Sequence, residues 1–510
     1  MRSMIRGSRR PVILFVIAGA VVPAMGRADT LKQTKPVRIS GPSPFASCTA
    51  DQVPGNIEIN IANSEVEPWL AVNPTNPANL VALWSQDWWS RPDQGARGLV
   101  AGVIVDGGKS WQNVVIPGLT LCSGGSAVRT GDPWLAFASN GGLFLSALGV
   151  GVTSTGGLGP PFTVLVSKST DGGLTWGPVV TLFEDKNNIQ DKESITADPA
   201  DPNLAYVVWD QVFGQGAVMF SRTTDGGQSW EPGRPIYNPP SFSFPLGNQI
   251  VVLPGGTLLD FFSENRHQTD PGGGAALDST FLSLIRSTDK GVTWEANKPI
   301  RIAEVKITCG RTVGCVTDPE TGQGVRDAQV LFDVAVDPNN GNLYLQWTDG
   351  RFSNFQYASV AFSVSTDGGF TWSTPIKINK TPTKIPPGNQ QAFGHSLHVA
   401  PDGTIGAAYY DFRFNSPSAG LLTDYWLVHC HPTANCADPA NWRDENRLTD
   451  FSFDLEKAVV SGGFFVGDYQ GMAADGGDLL AVWGQTHGTD SGSIFFRRVK
   501  VSPGSTAVIP

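Results

Sequence analysis

Short apolar runs recur along the whole chain: Leu80 to Trp84, Leu143 to Leu148, Ala205 to Trp209, Thr257 to Phe262, Leu343 to Trp347, Ile405 to Tyr410 and Leu479 to Trp483. Their β-branched and aromatic content is that of strands in a buried sheet. Ahead of each lies another strand start: Glu67-Pro68-Trp69-Leu70-Ala71, Asp132-Pro133-Trp134-Leu135-Ala136, Lys192-Glu193-Ser194-Ile195, Gly247-Asn248-Gln249-Ile250, Arg326-Asp327-Ala328-Gln329, Gly394-His395-Ser396-Leu397 and Gly467-Asp468-Tyr469-Gln470. Seven such pairs predict seven repeated β units, and no helical domain or low-complexity linker interrupts them.

A second signal fixes the repeat. Ser365-Thr366-Asp367-Gly368-Gly369-Phe370-Thr371-Trp372 has close copies at Ser169 to Trp176, Thr223 to Trp230 and Ser287 to Trp294, with a degenerate one at Ile104 to Trp111. Each follows an extended run such as Phe162 to Val166 or Val360 to Val364 and precedes another short extended piece, so it predicts a hairpin turn. The Asp carboxylate accepts turn N–H groups, the second Gly tolerates positive φ, and the Trp covers apolar surface beside the turn. These residues build a fold.

The octapeptide resembles the Asp box, S-x-D-x-G-x-T-W, of the bacterial-neuraminidase-repeat propellers, which include the sialidases. The resemblance implies an all-β chain: a β-propeller of four-stranded antiparallel blades, with the Asp-box hairpins on the face opposite the active site. Seven strand starts give seven blades; the familiar sialidase propeller has six, which is the alternative. Blade six lacks the box and has Cys430 to Cys436 where the turn belongs, so a disulfide takes its place. Blade seven ends on Ser493 to Val501, and its fourth strand is expected from the N-terminus, with Ile57 to Ile61 as the candidate.

Arg2, Arg6, Arg9 and Arg10 precede an apolar run from Val12 to Val22 and the segment Pro23-Ala24-Met25-Gly26-Arg27-Ala28. This reads as an export signal over residues 1–28, cleaved after Gly26 or Ala28, by the general or the twin-arginine route, ahead of one propeller domain over 29–510. The expected location is secreted or periplasmic. The formal charge of −10 becomes about −15 without the five leader arginines, a poor match to nucleic acid or an anionic membrane surface. Six cysteines suit an oxidising compartment, Cys309 with Cys315, Cys430 with Cys436 and Cys48 with Cys122 being the simplest pairing. No membrane insertion is expected, and the chain is expected to be a monomer.

In a propeller the inner-strand starts and second-strand ends meet at one mouth. The starts supply Glu67, Asp132, Glu193, Asp327 and Asp468, with Asn248 and His395; the ends supply Asp87, Asp210, Glu264, Asp349 and Asp411. Blades four to six share an acid followed two residues later by Arg: Glu264/Arg266, Asp349/Arg351 and Asp411/Arg413. By resemblance to the sialidase arginine triad, Arg266, Arg351 and Arg413 would grip a sugar carboxylate, a bidentate task that Lys cannot reproduce; the alternative is an ion pair inside each blade. The same resemblance makes Tyr469 the nucleophile, assisted by Glu67 or Glu193, with Asp87 as acid/base, and leaves Asp132, Asp327, Asp468 and His395 to contact substrate. Several acids at one axis repel unless a cation, an arginine or a proton intervenes; no cofactor is otherwise expected, a structural calcium being the exception. His395 and His398 are expected to share one strand face, and Trp88 and Trp89 to stack on sugar or pack over the rim. The expected partner is a glycan or glycoconjugate, bound and hydrolysed, or bound by a non-catalytic glycan- or protein-binding propeller.

Overall fold

The computed structural model describes residues 32–500 apart from 54–58, 91–94, 106–109, 153–157, 213–215, 268–276, 297, 310–313 and 419. The export-signal reading and the middle of the Ile104 to Trp111 copy lie outside the described residues.

Among the described residues the strands form seven four-stranded antiparallel units. Their inner strands are Val66–Val72, Arg129–Phe137, Gln190–Ala197, Ser243–Val252, Phe332–Val336, Ala392–Val399 and Gly471–Asp475. Each packs beside the next, and the seventh packs beside the first. The result is a closed β-propeller ring.

The continuous apolar second strands are explained by where their two faces go. Ala205, Val207 and Trp209 pack toward blade two, while Tyr206 and Val208 pack toward blade four. Leu83 and Trp84 divide in the same way between blades two and seven. Side chains alternate across a strand, and here both faces are buried, so no polar alternation survives. Apolar wedges between neighbouring blades therefore make the core. Trp84, Trp209, Trp347 and Trp483 are fully buried in them, and each indole N–H donates to a nearby Gln or Asp oxygen at 2.7–2.9 Å.

The repeated turns follow one hydrogen-bond scheme. In the copy at Ser169, the Ser hydroxyl donates to Asp171, and Asp171 also accepts Thr175 N–H at 2.9 Å and its hydroxyl at 2.6 Å. Asp225, Asp289 and Asp367 repeat the scheme. Hydroxyl and amide donors hold these three carboxyls down at about 2. The Trp that closes the turn packs on a Phe of the preceding blade: Trp230 on Phe144, Trp294 on Phe220, Trp372 on Phe261. In blade six the Cys430–Cys436 disulfide replaces the turn, and Trp442 fills the same place on Phe362 with its rings 4.6 Å apart. The turn is a staple between blades, and a disulfide serves as well as an Asp.

Ring closure corrects one expectation. The last blade is completed from the N-terminus by Val37–Arg38 and Lys32–Gln33 paired to Asp490–Lys500. Of Ile57 to Ile61, residues 57 and 58 lie outside the described residues; Asn60 and Ile61 bond to Trp89 and Trp88 in blade one. Disulfides join Cys48 to Cys122 and Cys309 to Cys315 as well.

Candidate functional site

The site begins with a backbone irregularity. Each blade entry carries one residue with left-handed φ: Glu67 (57°), Asp132 (50°), Lys192 (47°), Gly247 (76°), Ala328 (45°), Gly394 (78°) and Gly467 (125°). In blades one to four and six it coincides with a register shift between the inner and second strands. A bulge of this kind bends the strand and re-aims its side chains, and here it sends them to the axis.

Charges from five blades meet there. Lys192 Nζ donates to Asp132 Oδ1 at 2.8 Å, lies 2.8 Å from Asp468 Oδ2 and stands 3.8 Å from Glu67 Oε1. Arg326 grips Asp468 with Nε to Oδ1 at 2.7 Å and a terminal nitrogen to Oδ2 at 2.5 Å. All five side chains are buried or nearly so. Burial disfavours the charged forms, but for Lys192 the surrounding Asp132, Asp468, Asp191 and Glu67 outweigh it and raise its pKa. Asp468 is likewise held well below the ordinary carboxylate range by Arg326 and Lys192 despite burial. Glu67 moves the other way: burial, then Asp132, keep it protonated well above its ordinary value. The axis thus holds one carboxylate that stays ionised and one carboxyl that keeps its proton.

Beside this knot lies a cavity of about 20 Å³, lined by Lys192, Glu193, Asn248, His395, Trp134 and Tyr469 among others. Burial and then Asp132 raise the pKa of Glu193; burial lowers His395 to about 4, so it is neutral. The Tyr469 hydroxyl donates to Pro133 O at 3.3 Å, and its ring sits edge-on to Trp69 and Trp134, which stack 3.5 Å apart. Burial and the four carboxyls Glu67, Asp132, Glu193 and Asp468 push the phenol well above its ordinary value, an environment opposed to a phenolate nucleophile.

The structure therefore brings together Glu67, Asp132, Glu193, Asp468, His395 and Tyr469. The three arginines each have a carboxylate partner of their own. Arg266 bonds Glu264 at 2.7 Å, Arg351 bonds Asp349 at 2.8 Å, and Arg413 bonds Asp411 and Glu445 at 2.7 Å each while stacking 3.6 Å over Trp426. All three guanidiniums thus carry structural partners: Arg266 and Arg413 within their own blades, and Arg351 also donates to Glu304 O of the preceding blade at 2.5 Å. Asp87, also left-handed (φ 62°), accepts Asn63 N–H at 3.0 Å, the Gln86 amide at 2.9 Å and the Ser43 hydroxyl. It anchors the N-terminal segment. Asp327 accepts Gly314 and Val316 N–H at 3.0 and 2.7 Å, and burial raises it to about 7. His395 and His398 are three positions apart and so take opposite strand faces; His395 alone of the two lines the cavity. Trp88 and Trp89 are buried, Trp88 against Phe465 and Trp89 under Arg129.

Sequence reasoning passed over Lys192 and Arg326, although both stand in the quoted strand starts. The available signal was the electrostatic one: crowded axial acids demand a cation, and these are basic residues at the repeat offset that delivers the acids.

No family model matches the chain. Xyloglucanase Xgh74A of Acetivibrio thermocellus is 32% identical over 215 residues, 39% of this chain and 21% of that protein. The chain thus spans about a fifth of the curated relative it matches. Among solved structures, the Hadza microbial sialidase Hz136 shares 17% identity (TM-score 0.45; 79% of this chain, 73% of that one). A Penicillium chrysogenum alpha-L-arabinanase complexed with arabinobiose shares 14% (TM-score 0.46; 74% and 94%). A Dyadobacter fermentans protein of unknown function shares 15% (TM-score 0.44; 87% and 98%). The fold assignment above rests on strand topology and not on these likenesses.

Proposed function

We propose that this chain is an exported Asp-box propeller that recognises a neutral glycan at the axial face. The observation that carries the reading is the division of charge: Arg266, Arg351 and Arg413 are each paired with a nearby carboxylate, while Glu67, Asp132, Glu193 and Asp468 collect at the axis with two compensating cations. Carboxyls that both accept and donate hydrogen bonds suit the hydroxyls of a neutral sugar. The likeness to a xyloglucanase over 215 residues supports the same substrate class. Three disulfides are in keeping with export, and no helix among the described residues is long and apolar enough to cross a membrane.

A hydrolytic second reading has one observation in its favour. Glu67 kept protonated beside Asp468 kept ionised is the pattern of an acid paired with a carboxylate base or stabiliser. Affinity electrophoresis on xyloglucan and arabinan, a sialoside array and reducing-sugar release across pH separate these readings. Retardation by a neutral glycan that is lost in Asp468→Asn and kept in Arg351→Ala is expected. Sialoside binding lost in Arg351→Ala would restore the triad and sink the proposal, and turnover lost in Glu67→Gln would establish hydrolysis.

A further inference from the structure

Among the apolar walls of the small axial cavity, formed by Trp134, Leu331, Phe332 and Tyr469, three polar side chains have unmet acceptors. Both carboxyl oxygens of Glu193, Oδ1 of Asn248 and Nδ1 of His395 are buried with no partner among the described residues beyond Glu193's own backbone amide. Their directions are not interchangeable. The Asn248 amide nitrogen is committed to Asp210, which leaves its oxygen as the unused end. The His395 Nδ1 is likewise buried and turned to no partner among the described residues. The one cation in the lining, Lys192, is already turned to Asp132 and Asp468.

Buried polar groups are normally partnered, and three such side chains around one small space ask for a guest that engages all of them. A small cation meets them all, and a cavity of about 20 Å³ has room for one such guest. Crowded acids alone would not make the case; the amide oxygen and imidazole nitrogen beside the carboxylate do, because this mixed set is a metal-ligand set.

We infer that the axial cavity binds one divalent cation through Glu193, Asn248 and His395. Imidazole with carboxylate and amide oxygen suits Mn²⁺ or Zn²⁺ better than Ca²⁺ or Mg²⁺. The ion would join blades three, four and six at the axis. This inference stands whether or not the chain binds a glycan.

The test uses the whole protein, purified without chelating resin. Metal content by plasma mass spectrometry and thermal midpoints are followed with EDTA and after adding Mn²⁺, Zn²⁺, Ca²⁺ or Mg²⁺ alone. About one ion per chain is expected, with a fall of several degrees in EDTA that Mn²⁺ or Zn²⁺ reverses. Glu193→Gln, which keeps shape and removes charge, should fold and lose both the ion and the EDTA response; Asn248→Ala is the second variant should the first not fold. Metal at background level with midpoints indifferent to all four ions would overturn the inference and leave a water-filled cavity. A metal response unchanged in both variants would equally overturn it, by placing the ion elsewhere.

Discussion

Lys192 is the hub of the axial knot, and its removal gives the sharpest test of that assembly. Lys192→Met keeps the length of the stem and removes the ammonium that lies 2.8 Å from both Asp132 and Asp468 and 3.8 Å from Glu67. Breaking a buried ion pair leaves an unpaired charge in a dry site, at a cost of about 3–5 kcal/mol. For roughly 470 cooperative residues the unfolding entropy is about 1 kcal/mol per degree, so the midpoint should fall by ~3–5 °C. The assay is thermal and urea unfolding near neutral pH of Lys192→Met, Asp132→Asn and the double variant. Coupling predicts that the double variant is less destabilised than the sum, by on the order of 1 kcal/mol or more. Lys192→Arg preserves the charge and guards against a variant that does not fold. The half-exposed Arg498 to Asp475 and Asp478 pairs give the contrast, since an exposed ion pair is worth at most about 1 kcal/mol. A Lys192→Met cost as small as that of Arg498→Met, or strictly additive losses, would refute the knot.

Three further outcomes follow from the geometry. Burial raises Asp333 from its ordinary 3.8 to about 8, although it accepts Val334 N–H and, from blade six, Leu397 N–H at 2.7 Å. The neutral form is the stable one in the fold, so its contribution is full below about pH 4 and is lost as pH rises to about 8; between pH 5 and 8 that is ~4 kcal/mol. Asp333→Asn keeps an acceptor and should flatten the fall in melting midpoint over that range, and an unchanged pH slope would count against the assignment. Trp442→Ala should cost about 3–5 kcal/mol in urea unfolding, since Trp442 is 1% exposed, and the paired Cys430→Ser, Cys436→Ser change about 2 kcal/mol from its short loop; a Trp442→Ala loss under about 1 kcal/mol would deny the staple its role. Ala328→Gly, at φ 45°, should be neutral to stabilising by up to ~1 kcal/mol, and a clear loss on calorimetry would show that the left-handed residue is not strained.

The blades were legible because both of their signals are local. An octapeptide turn carries its own hydrogen-bond partners, and a strand buried on two faces is apolar along its length whatever it packs against. Ring closure was half legible. That the N-terminus completes the last blade follows from counting strands, but the two-residue strands Lys32–Gln33 and Val37–Arg38 have no periodicity to read, and their partners lie more than 450 residues away. The apolar Ile57 to Ile61 looked more like a strand and was the wrong choice for that reason. The arginines are a different case: their types and spacing are plain, but a spacing of two residues states only that acid and base are neighbours. Which of them is left over for a ligand depends on the exposure of each and on third parties such as Glu445.

The left-handed blade entries tie strain to charge. A non-glycine residue held there costs about 1–2 kcal/mol, and glycine would avoid it, as Gly247, Gly394 and Gly467 do. In those three blades the axial group comes from the next residue, Asn248, His395 or Asp468. In blades one and two the strained residue is itself the axial group, and blade three sends both Lys192 and Glu193. The three strained charged residues, Glu67, Asp132 and Lys192, are also the ones that face one another at the axis. Glycine at any of them would relieve the backbone and remove a member of the pairing. A slip of one position in any inner strand turns its axial side chain to the opposite face and leaves a buried charge without a partner. The knot therefore acts as a register lock on the ring, the use of buried ion pairs best supported elsewhere, and its strain persists because only a side chain at that bulge reaches the axis.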